Sequence, residues 1–556
     1  MPETLSGAQI AIRLLERQGI RTVAGIPGGA ILPIYDALSQ SALIRHVLAR
    51  HEQGAGFMAQ GMARVSGQPA VCLASSGPGA TNLLTALADA KLDSIPLVAI
   101  TGQVPRAMIG TDAFQEVDTY GLSIPITKHN FLVSSAEELL AVIPRAFAIA
   151  ASGRPGPVLV DIPKDVQSQI IEVDAWPEPG APRPAPAANG ELLAQAATMI
   201  DEAARPILYL GGGVVHSGAA GLAVQLAEKA NLPTVMTLMA LGAMPVDHPL
   251  SLGMLGMHGA RSTNLALDEC DLLVAVGARF DDRATGKVAQ FCPRARIIHI
   301  DIDPAELGKI KTAHIAIAGD VGEALGRLLP AVHAGERGPW RRRVAELQAR
   351  WPFQMPDVDN PRSHFGLIQT VAACLDRDAV IATDVGQHQM WVAQAYPLRR
   401  PRQWLTSGGL GSMGFGVPAA IGAALAEPDR TVVCFTGDGS ILMNIQELVT
   451  AAEEGVNLKI ILLDNASLGL VHQQQTLFYG ERIYASRFQV SPHWTTVAEG
   501  FGIAAVDLDH AANPCAALMD ALSRRGPCLI HASIDVDQKV YPMVPPGAAN
   551  REMIGA

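Results

Sequence analysis

Short apolar runs alternate with helical patterns along most of the chain. Typical runs are AVCLASSGPGATN, PVLVDIPKD and TVVCFTGDGS, in which the strand-like part ends in a cluster of Gly, Ser, Thr or Pro. This alternation predicts parallel sheets with crossover helices. Near the start, Ser6 can cap a helix that runs to about Gln18, because Gly19 follows as a stop signal. The fold class that we predict is α/β, with mostly parallel sheets flanked by helices.

Two interruptions divide this pattern into three blocks. The first block covers residues 1–171, the middle block residues 191–335, and the third block residues 362–537, followed by a tail at 538–556. Residues 172–190 are rich in proline, which excludes a helix or a central strand, so we predict an extended linker there. Its prolines are Pro177, Pro179, Pro182, Pro184 and Pro186. The stretches SGPGATN and SGGLGSMG both follow strand-like runs, which suggests that the outer two blocks are related and the middle one differs.

Length and composition narrow the class of protein. With 556 residues the chain is too long for one core, which agrees with several domains. The net charge of −11 argues against a nucleic acid or an anionic membrane as partner, since both require clustered cations. The 7 cysteines include no CxxC pair, so neither a zinc site nor a disulfide framework is predicted. Without a signal segment or an apolar stretch of roughly 18 residues, the expectation is a cytoplasmic protein.

One carboxylate lies between two glycines at the end of an apolar run. Asp438 follows VVCFTG and precedes a helical pattern that we predict to run from Ser440 to Gly455. The apolar positions of this pattern are Leu442, Ile445, Leu448, Val449 and Ala452. The next strand-like run, KIILLDN, ends at Asn465, 27 positions after Asp438. A strand–helix–strand crossover of this length places Asp438 and Asn465 side by side at the carboxyl ends of neighbouring strands.

This pair of side chains has the chemistry of a magnesium site. An acid and an amide oxygen, together with backbone carbonyls and water, are hard oxygen ligands that suit Mg²⁺. A helix that begins at Ser440 adds N–H donors for a phosphate, so these residues predict a Mg²⁺-bridged diphosphate. From the local stretch alone, Asp438 as a simple helix cap and Asn465 as a turn residue stay open.

A rival motif lies upstream. Gly409, Gly411 and Gly414 form a GxGxxG pattern between a strand-like run and a helical pattern. Asp438 then falls where a dinucleotide fold places its ribose-binding acid. This alternative predicts a nicotinamide-dependent oxidoreductase, but it leaves Asn465 and the whole first block without a role.

The stretch GDGSILMNIQELVTAAEEGVNLKIILLDN resembles the thiamine-diphosphate signature, in which Gly-Asp-Gly is followed by a pair of asparagines. Here the pair is Asp464-Asn465, so its first member departs from that pattern and its second, the metal ligand, is present. Further stretches resemble the catalytic subunit of acetolactate synthases, among them RHEQGAGFMAQGMAR, DSIPLVAITGQVPRAMIGTDAFQEVD, GARFDDR and DVGQHQMW. The resemblance covers about residues 6–550, and many separate motifs agree in order.

This resemblance implies a thiamine-diphosphate-dependent acetolactate synthase of branched-chain amino-acid biosynthesis. Such an enzyme decarboxylates pyruvate and joins the remaining two-carbon unit to pyruvate or 2-oxobutyrate. The resemblance also implies three α/β domains that bind the aminopyrimidine, FAD and the diphosphate in turn. FAD would be structural, because the net reaction is not a redox reaction. A homodimer or homotetramer with active sites between subunits, and a small regulatory subunit, are further implications. Pyruvate oxidase, or another thiamine-diphosphate carboligase or decarboxylase, is the alternative within the same chemistry.

The resemblance also assigns residues to the reacting centre. Glu52 matches the family's catalytic glutamate, which shares a proton with the pyrimidine ring of the cofactor. Gly29 and Gln115 lie near the reacting centre, and Phe114 and Lys164 line the access path. With this role we expect Glu52 to be buried among Ala55, Met58 and Ala59. From the local stretch alone, a surface Glu paired with Arg50 or His51 stays open.

Three sets of residues match cofactor contacts of the family. The metal ligands are the side chains of Asp438 and Asn465 and the backbone carbonyl of Ser467. The thiamine-diphosphate contacts are Gly386, Gln387, His388, Gly411, Met413, Gly437, Gly439, Ser440 and Leu470. Within this set, Met413 props the cofactor in a bent conformation. The FAD contacts are Arg154, Gly211, Gly212, Gly213, His258, Arg279, Asp301 and Asp320. A middle domain without a nucleotide, as in catabolic relatives, is the alternative to FAD.

One position departs from many relatives. Gln474, in GLVHQQQ, stands where they carry a Trp that contacts the second substrate and favours 2-oxobutyrate over pyruvate. A polar Gln lacks that flat apolar surface. We therefore predict weak discrimination between the two acceptors.

Overall fold

The computed structural model describes residues 2–555. Within that range the chain forms three six-stranded sheets, each flanked by helices, and one two-stranded antiparallel sheet. All pairings inside the three large sheets are parallel. The predicted α/β class is confirmed. In the same described range, no helix is both long and apolar enough to cross a membrane.

The first domain opens with a short strand, which leads into the capped helix that the sequence predicts. Its strands are β1 (Glu3–Ser6), β2 (Thr22–Gly25), β3 (Arg45–Leu48), β4 (Ala70–Ala74), β5 (Leu97–Gln103), β6 (His129–Leu132), β7 (Pro157–Pro163) and β8 (Ile170–Val173). Its helices are α1 (Gly7–Arg17), α2 (Leu32–Ser39), α3 (Glu52–Ser66), α4 (Pro78–Leu92), α5 (Thr119–Ser123), α6 (Ala136–Ala151) and α7 (Lys164–Ser168). The side chain of Ser6 accepts a hydrogen bond from Gln9 N–H at the start of α1. β1 and β8 pair with each other and bring the two ends of the domain together.

The middle domain follows after residues 174–189, which contain neither helix nor strand. Its strands are β9 (Pro206–Leu210), β10 (Thr234–Met236), β11 (Ser251–Met254), β12 (Leu272–Val276), β13 (Arg296–Asp301) and β14 (Ile315–Ala318). Its helices are α8 (Gly190–Glu202), α9 (Gly212–His216), α10 (Ala220–Ala230), α11 (Arg261–Glu269), α12 (Asp282–Thr285), α13 (Val321–Ala331) and α14 (Gly338–Arg350).

The third domain repeats the style of the first. Its strands are β15 (Val380–Thr383), β16 (Trp404–Leu405), β17 (Val432–Gly437), β18 (Leu458–Asp464), β19 (Ala504–Asp507) and β20 (Cys528–Ser533). Its helices are α15 (His364–Cys374), α16 (Gln387–Ala395), α17 (Gly416–Ala426), α18 (Asp438–Ile441), α19 (Glu447–Glu454), α20 (Gly469–Phe478), α21 (Trp494–Gly500) and α22 (Pro514–Ser523).

Strand order separates the middle sheet from the outer two. The first sheet runs β3-β2-β4-β5-β7-β6 and the third runs β16-β15-β17-β18-β20-β19. When the strands of each sheet are counted from its own first strand, these two orders are identical. The middle sheet runs β11-β10-β9-β12-β13-β14, which is the order of the dinucleotide-binding fold. The predicted arrangement of two related domains around a different one is confirmed.

The prediction of one continuous helix from Ser440 to Gly455 is wrong. The segment forms two short helices, α18 and α19, joined by turns over residues 442–446. Asn444 lies in this joint, and its Nδ2 donates to the carbonyl of Gly414 at 2.8 Å. This tertiary contact holds the joint in a conformation that the local periodicity does not encode. The predicted stop is found, since Gly455 ends α19 in a left-handed conformation.

Two long helices join the outer domains. α3 and α17 pack at very close range, because Gly61 of α3 faces Ala419 and Gly422 of α17 faces Met58. A Cβ atom on either glycine would lie 1.9 Å from a backbone oxygen of the other helix. Only glycine permits this approach. α3 begins at Glu52, so the packing fixes the position of that residue against the third domain.

The C-terminal tail returns from the third domain to the middle one. Val544 N–H donates to the carbonyl of Met257 at 2.9 Å, and Asn550 Nδ2 donates to the carbonyl of Ala284 at 2.8 Å. Val540 and Val544 are buried. The tail is therefore part of the packed structure.

Candidate active site

Three neighbouring strands of the third sheet end at one edge. β15, β17 and β18 are adjacent and parallel, with Gly437 at the end of β17 opposite Leu463 of β18. From β15 the chain enters α16 through Gly386, and from β18 it soon enters α20. The first N–H groups of these helices lack partners within the helices and are suited to bind an anion. Asp438 and Asn465 each follow directly after their strand, so both lie at this edge.

The carboxylate and the amide at this edge offer oxygen ligands. Asp438 is buried, and its Oδ2 accepts a hydrogen bond from Ser467 N–H at 3.0 Å. Burial and the neighbouring charge of Asp464 raise the pKa of Asp438 to about 7. A divalent cation reverses that effect, because its charge favours the carboxylate form. Asn465 donates through Nδ2 to Gln387 Oε1 at 2.9 Å, so its Oδ1 remains to face a cation. This donor set fits Mg²⁺.

Asp464, the residue that departs from the thiamine signature, is held by protein groups. Its Oδ1 accepts from Ala466 N–H at 3.0 Å, and its Oδ2 accepts from Trp494 Nε1–H at 2.8 Å and from the Ser491 hydroxyl at 3.0 Å. His531 Nε2 lies 3.3 Å from the same oxygen. Burial acts to raise the pKa of Asp464, but these hydrogen bonds hold it well below its usual range. Asp464 therefore fixes the turn that carries Asn465.

His388 lies behind the turn that follows β15. A Cβ on Gly386 would lie 2.6 Å from Cε1 of His388, and a Cβ on Gly437 would lie 2.9 Å from its Nδ1, so glycine at both positions admits the ring. Burial lowers the pKa of His388 to about 3, and the ring is neutral at neutral pH. Among the described residues, its buried Nε2 has no hydrogen-bond partner. Such an atom fits a ligand oxygen, for example of a diphosphate.

The other predicted thiamine contacts surround the same edge. Ser440 donates from its hydroxyl to the carbonyl of Val385 at 2.6 Å, which ties α18 to the turn after β15. Asp384 in that turn accepts from Gly414 N–H at 2.8 Å, and this bond draws the loop between β16 and α17 to the site. The remaining members of the set lie on that loop, on α18 and on α20; they are Gly411, Met413, Gly439 and Leu470.

Glu52 is the first residue of α3. Its Oε2 accepts a hydrogen bond from Asn82 Nδ2 of α4 at 2.9 Å. The expected burial is wrong for a single protomer, because Ala55, Met58 and Ala59 are fully buried whereas Glu52 itself is only half-buried. α3 packs against α17 through its later turns, so its first residue, Glu52, lies at the edge of the packed region. Glu52 thus lies at the edge of the core and is partly exposed.

The other predicted residues of the reacting centre follow three strands of the first sheet. Gly29 lies after β2, Gln115 after β5, and Lys164 directly after β7, so all three lie toward the carboxyl edge of that sheet. Gly29, Gln115 and Phe114 are exposed, and the side chain of Phe114 is 87% exposed. Gln115 has a left-handed φ of 58° and packs against Gly77. In one protomer Gly29, Phe114 and Gln115 therefore face solvent.

A cavity of about 840 Å³ lies between the three domains. It opens beyond the carboxyl ends of β9 and β12, where the strand order of the middle sheet reverses, which is the usual place of a bound dinucleotide. All eight residues predicted to contact FAD line it: Arg154, Gly211, Gly212, Gly213, His258, Arg279, Asp301 and Asp320. From the third domain, Gly411, Leu470 and Gln474 also line it. The cavity has the location and size to admit a flavin nucleotide.

The polar groups of this cavity are anchored by the protein. Arg154 of the first domain pairs with Glu306 at 2.8 Å and donates to the Ser94 hydroxyl at 2.9 Å. Burial raises the pKa of Asp301 to about 6 and lowers the pKa of His258 to about 4. His258 Nδ1 lies 3.2 Å from the carbonyl of Pro542 in the tail. These contacts preorganise the walls of the cavity.

The GxGxxG stretch upstream of Asp438 contacts the first domain and does not have the role that a dinucleotide-binding fold would give it. Gly409 N–H donates to Asp93 Oδ1 at 2.7 Å, and Gly408 N–H donates to Asp93 Oδ2 at 3.1 Å. A carboxylate of the first domain thus occupies N–H groups that a dinucleotide phosphate would need. The sheet of the third domain also has the strand order of the first sheet and not that of a dinucleotide-binding fold. The dinucleotide interpretation of this motif is wrong.

Sequence reasoning missed the buried charges that join the outer domains. Arg64 pairs with Asp93 at 2.7 Å and with Asp89 at 3.4 Å, and all three side chains are at most 5% exposed. Glu447 of α19 is also fully buried and receives hydrogen bonds from the first domain. Each of these residues lies on a helical pattern where a charge is ordinarily solvent-exposed, so the sequence carried no signal for them.

Family comparisons agree with this geometry. The N-terminal thiamine pyrophosphate binding domain of the thiamine pyrophosphate enzymes matches residues 5–122, the central domain matches 193–328, and the C-terminal thiamine pyrophosphate binding domain matches 384–532. Acetolactate synthase isozyme 1 large subunit of Escherichia coli is 62% identical over 550 residues, which cover 99% of this chain and 98% of the relative. The chain belongs to the acetolactate synthase large-subunit family of thiamine pyrophosphate enzymes.

Other members of this family are similarly complete matches. Acetolactate synthase isozyme 2 large subunit of Escherichia coli is 48% identical, with 99% of each chain covered. Acetolactate synthase large subunit of Corynebacterium glutamicum is 46% identical, with 99% of this chain and 90% of the relative covered. Membership in the acetolactate synthase family confirms the predicted resemblance and favours acetolactate synthase over the alternatives from other reaction classes.

Proposed function

We propose that this protein synthesises 2-acetolactate from two molecules of pyruvate, and 2-aceto-2-hydroxybutyrate from pyruvate and 2-oxobutyrate. The observation that carries the proposal is the match to acetolactate synthase large subunits over nearly the whole chain, at up to 62% identity among the relatives given above. The supporting geometry is the hydrogen bond between Glu52 and Asn82 in the first domain and the position of Asp438 and Asn465 at the ends of two adjacent strands in the third. The pathway that uses such products is branched-chain amino-acid biosynthesis.

The third domain would hold the diphosphate end of the cofactor. Asp438, Asn465 and the carbonyl of Ser467 would bind Mg²⁺, and His388 Nε2 would donate to a diphosphate oxygen. Bound thiamine diphosphate supplies an acidic thiazolium carbon and an electron sink for decarboxylation. The residues at this edge orient that group, and they exclude water because Asp438 and His388 are buried.

Glu52 would hold a proton at the pyrimidine ring. A carboxyl group there shares its proton with a ring nitrogen and so governs the basicity of the neighbouring amino group. The Asn82 amide fixes one oxygen of Glu52 and leaves the other free for this contact. Because Glu52 is only half-buried in one protomer, a second surface is needed to exclude water from its carboxyl group.

That second surface would come from another copy of the chain. Gly29, Phe114 and Gln115 match residues of the family's reacting centre but are exposed in one protomer, so a further surface is needed to enclose them. We therefore place the active sites between subunits of a homodimer or homotetramer. The named relatives are large subunits, which supports a small regulatory subunit as a further partner.

Two positions would govern the substrates. Lys164 follows β7 and would steer the carboxylate of an incoming 2-oxo acid. Gln474 is exposed and lines the cavity wall on α20 next to Leu470. An amide side chain there offers an ethyl group no flat apolar surface, so pyruvate and 2-oxobutyrate would compete on similar terms.

FAD would occupy the cavity between the domains in a structural role. Neither decarboxylation nor carbon–carbon bond formation changes the net oxidation state, so the flavin has no electrons to transfer. The support is the dinucleotide strand order of the middle sheet and the eight predicted contacts on one cavity wall.

The test is incubation of the purified protein with pyruvate, thiamine diphosphate and Mg²⁺, with and without FAD. We expect acetolactate to form and to require thiamine diphosphate and the metal. Stoichiometric reduction of an acceptor dye with pyruvate, without acetolactate, would identify a pyruvate oxidase instead. Omission of Mg²⁺ after chelation is the matched control.

A further inference from the structure

Four groups, three of them buried, connect the C-terminal tail to the candidate metal site. They are Asn465 after β18, Gln387 at the start of α16, Gln473 on α20 and Val540 of the tail. Gln387, Gln473 and Val540 are each at most 3% exposed. The arrangement is notable because an amide side chain has a donor end and an acceptor end that are almost equal in shape.

The backbone of Val540 permits only one orientation of Gln473. Val540 N–H donates to Gln473 Oε1 at 2.8 Å, and Gln473 Nε2 donates to the carbonyl of Val540 at 3.1 Å. In the reverse orientation, the NH₂ group of Gln473 would face the N–H of Val540, and its oxygen would face the carbonyl of Val540. These distances leave no room for water between the groups in the buried site. Such a mismatch in a buried site is strongly unfavourable. The tail therefore sets which end of Gln473 points toward Gln387.

Gln473 in turn fixes Gln387. Gln387 Nε2 donates to Gln473 Oε1 at 3.1 Å and to the carbonyl of Gln538 at 2.8 Å. Both partners are acceptors, so the nitrogen of Gln387 must face them. Its Oε1 is then directed at Asn465, whose Nδ2 donates to it at 2.9 Å. Gly469 packs so closely here that a Cβ would lie 2.1 Å from Gln387 Oε1.

We propose that Gln387 and Gln473 are positioning residues that carry the polarity of the Val540 backbone to Asn465, so that Asn465 presents its oxygen to the cation. Without this series of hydrogen bonds, Asn465 can turn its NH₂ group toward the site, and an NH₂ group does not bind Mg²⁺. The C-terminal tail, far from the metal in sequence, is thereby a determinant of metal affinity. This inference rests on the metal site of the proposed function.

The experiment measures Mn²⁺ binding to the full-length protein by electron paramagnetic resonance, in the presence of thiamine diphosphate. Gln473→Met removes both polar ends of that side chain at nearly constant volume. We expect a fall in Mn²⁺ affinity of about tenfold or more, as is typical when a group behind a metal ligand is lost. The control is Gln403→Met, because Gln403 is equally buried in the same domain and binds only backbone groups outside this series.

A second background separates orientation from general damage. Asn465→Asp offers an oxygen in either orientation, so the position of Gln473 no longer selects the ligand atom. In that background Gln387 Oε1 faces a carboxylate oxygen, and Gln473→Met allows Gln387 to turn away. We expect Gln473→Met to leave Mn²⁺ affinity unchanged or to raise it there. An equal loss in both backgrounds, or no loss in the parent protein, overturns the proposal.

The same comparison with Gln387→Met covers the case in which Gln473→Met does not fold. The melting temperature of each variant, measured without metal, establishes folding. If the parent protein binds no Mn²⁺ with thiamine diphosphate, the metal site itself is wrong and this inference fails with it. If the parent binds Mn²⁺ and the two backgrounds respond alike, only the positioning role fails.

Discussion

Glu447 Oε1 accepts a hydrogen bond at 3.0 Å from the backbone N–H of His51, the residue that caps the helix of Glu52. The same oxygen accepts from Arg50 N–H, also at 3.0 Å, and Oε2 accepts from the Thr450 hydroxyl at 2.7 Å. The carboxylate belongs to the third domain and the two N–H groups belong to the first. Glu447 therefore holds the start of α3 in place.

Replacing Glu447 with Leu should reduce both stability and turnover. Two part-buried N–H groups lose their acceptor, at a cost of roughly 1–3 kcal/mol. Displacement of Glu52 by even a small distance should lower kcat by at least about tenfold, with a smaller change in KM for pyruvate. Thermal unfolding and steady-state acetolactate formation measure the two effects.

The control for Glu447 is Glu454→Ala. Glu454 lies at the other end of α19 and pairs with Arg45 of the first domain; the Arg45 side chain is 57% exposed and that of Glu454 is 10% exposed. Because one partner is largely exposed, the pair contributes only about 1 kcal/mol, and its loss leaves the N–H groups at the start of α3 with their acceptor, so the variant should retain parental kcat. If both variants lose turnover equally, Glu447 has no special role in placing α3.

The second prediction concerns Glu52 itself. Glu52→Gln retains the size of the side chain and an oxygen for Asn82, but it cannot share a proton with a ring nitrogen. We expect kcat to fall by about 10²–10⁴-fold. The affinity for thiamine diphosphate, measured by isothermal titration, should change far less. The neighbouring variant Gln53→Ala should retain most activity, and a Glu52→Gln enzyme with more than a tenth of parental kcat would contradict the assigned role.

The third prediction concerns the acceptor. At equal concentrations of pyruvate and 2-oxobutyrate, the parent protein should form the two products in a ratio below about tenfold. A fitted apolar pocket discriminates one methylene by about 10–200-fold, and the amide side chain of Gln474 does not provide such a pocket. Gln474→Trp should raise the share of 2-aceto-2-hydroxybutyrate. Val471→Trp is the matched control, since Val471 is an exposed residue on the same helix that does not line the cavity. A parental ratio of tenfold or more would contradict the prediction.

The fourth prediction concerns a buried acid of the first sheet. Burial raises the pKa of Asp161 to about 7, although its oxygens accept from the Thr101 hydroxyl at 2.7 Å and from Gln103 Nε2 at 3.0 Å. Because the folded state holds this proton more tightly than the unfolded state, the stability from Asp161 is complete below about pH 4 and is lost as the pH rises through about 7. Asp161→Asn should remove that loss.

Thermal unfolding at pH 5 and pH 8 tests this directly. The fall in melting temperature between the two values should be smaller in Asp161→Asn than in the parent protein, by about 2–4 °C for each kcal/mol removed. Asp165→Asn is the control, because Asp165 pairs with Arg106 at the surface and its pKa is lowered. An unchanged fall in Asp161→Asn would show that Asp161 is charged throughout this range.

The positions of Asp438 and Asn465 could be predicted because they follow from local rules. An apolar run, a helical pattern and a second apolar run fix a crossover, and a crossover places the two strand ends side by side. The same rules give the order of elements in each domain. The eight predicted contacts that line the cavity between the domains follow from resemblance to known motifs and not from periodicity.

Contacts between distant segments could not be predicted in this way. Glu447 meets His51 from nearly 400 positions away, and Gln473 meets Val540 from 67 positions away. For a polar residue on a helical pattern, the sequence alone predicts a solvent-exposed side chain, because its distant partner is not known. The break in the helix after Ser440 has the same origin, because Asn444 bonds to a loop that the local pattern does not contain.

Arg64 and its two acids, at most 5% exposed, lie where the first and third domains meet. Asp89 and Asp93 accept hydrogen bonds from Ser407 and Gly409 of the third domain, so separating the domains would break these bonds and open the close contact that the glycines of α3 and α17 permit. We therefore expect the outer domains to move as one body. Access for a 2-oxo acid would then depend on surface loops, such as the one that carries the exposed Phe114, and not on a hinge between these domains.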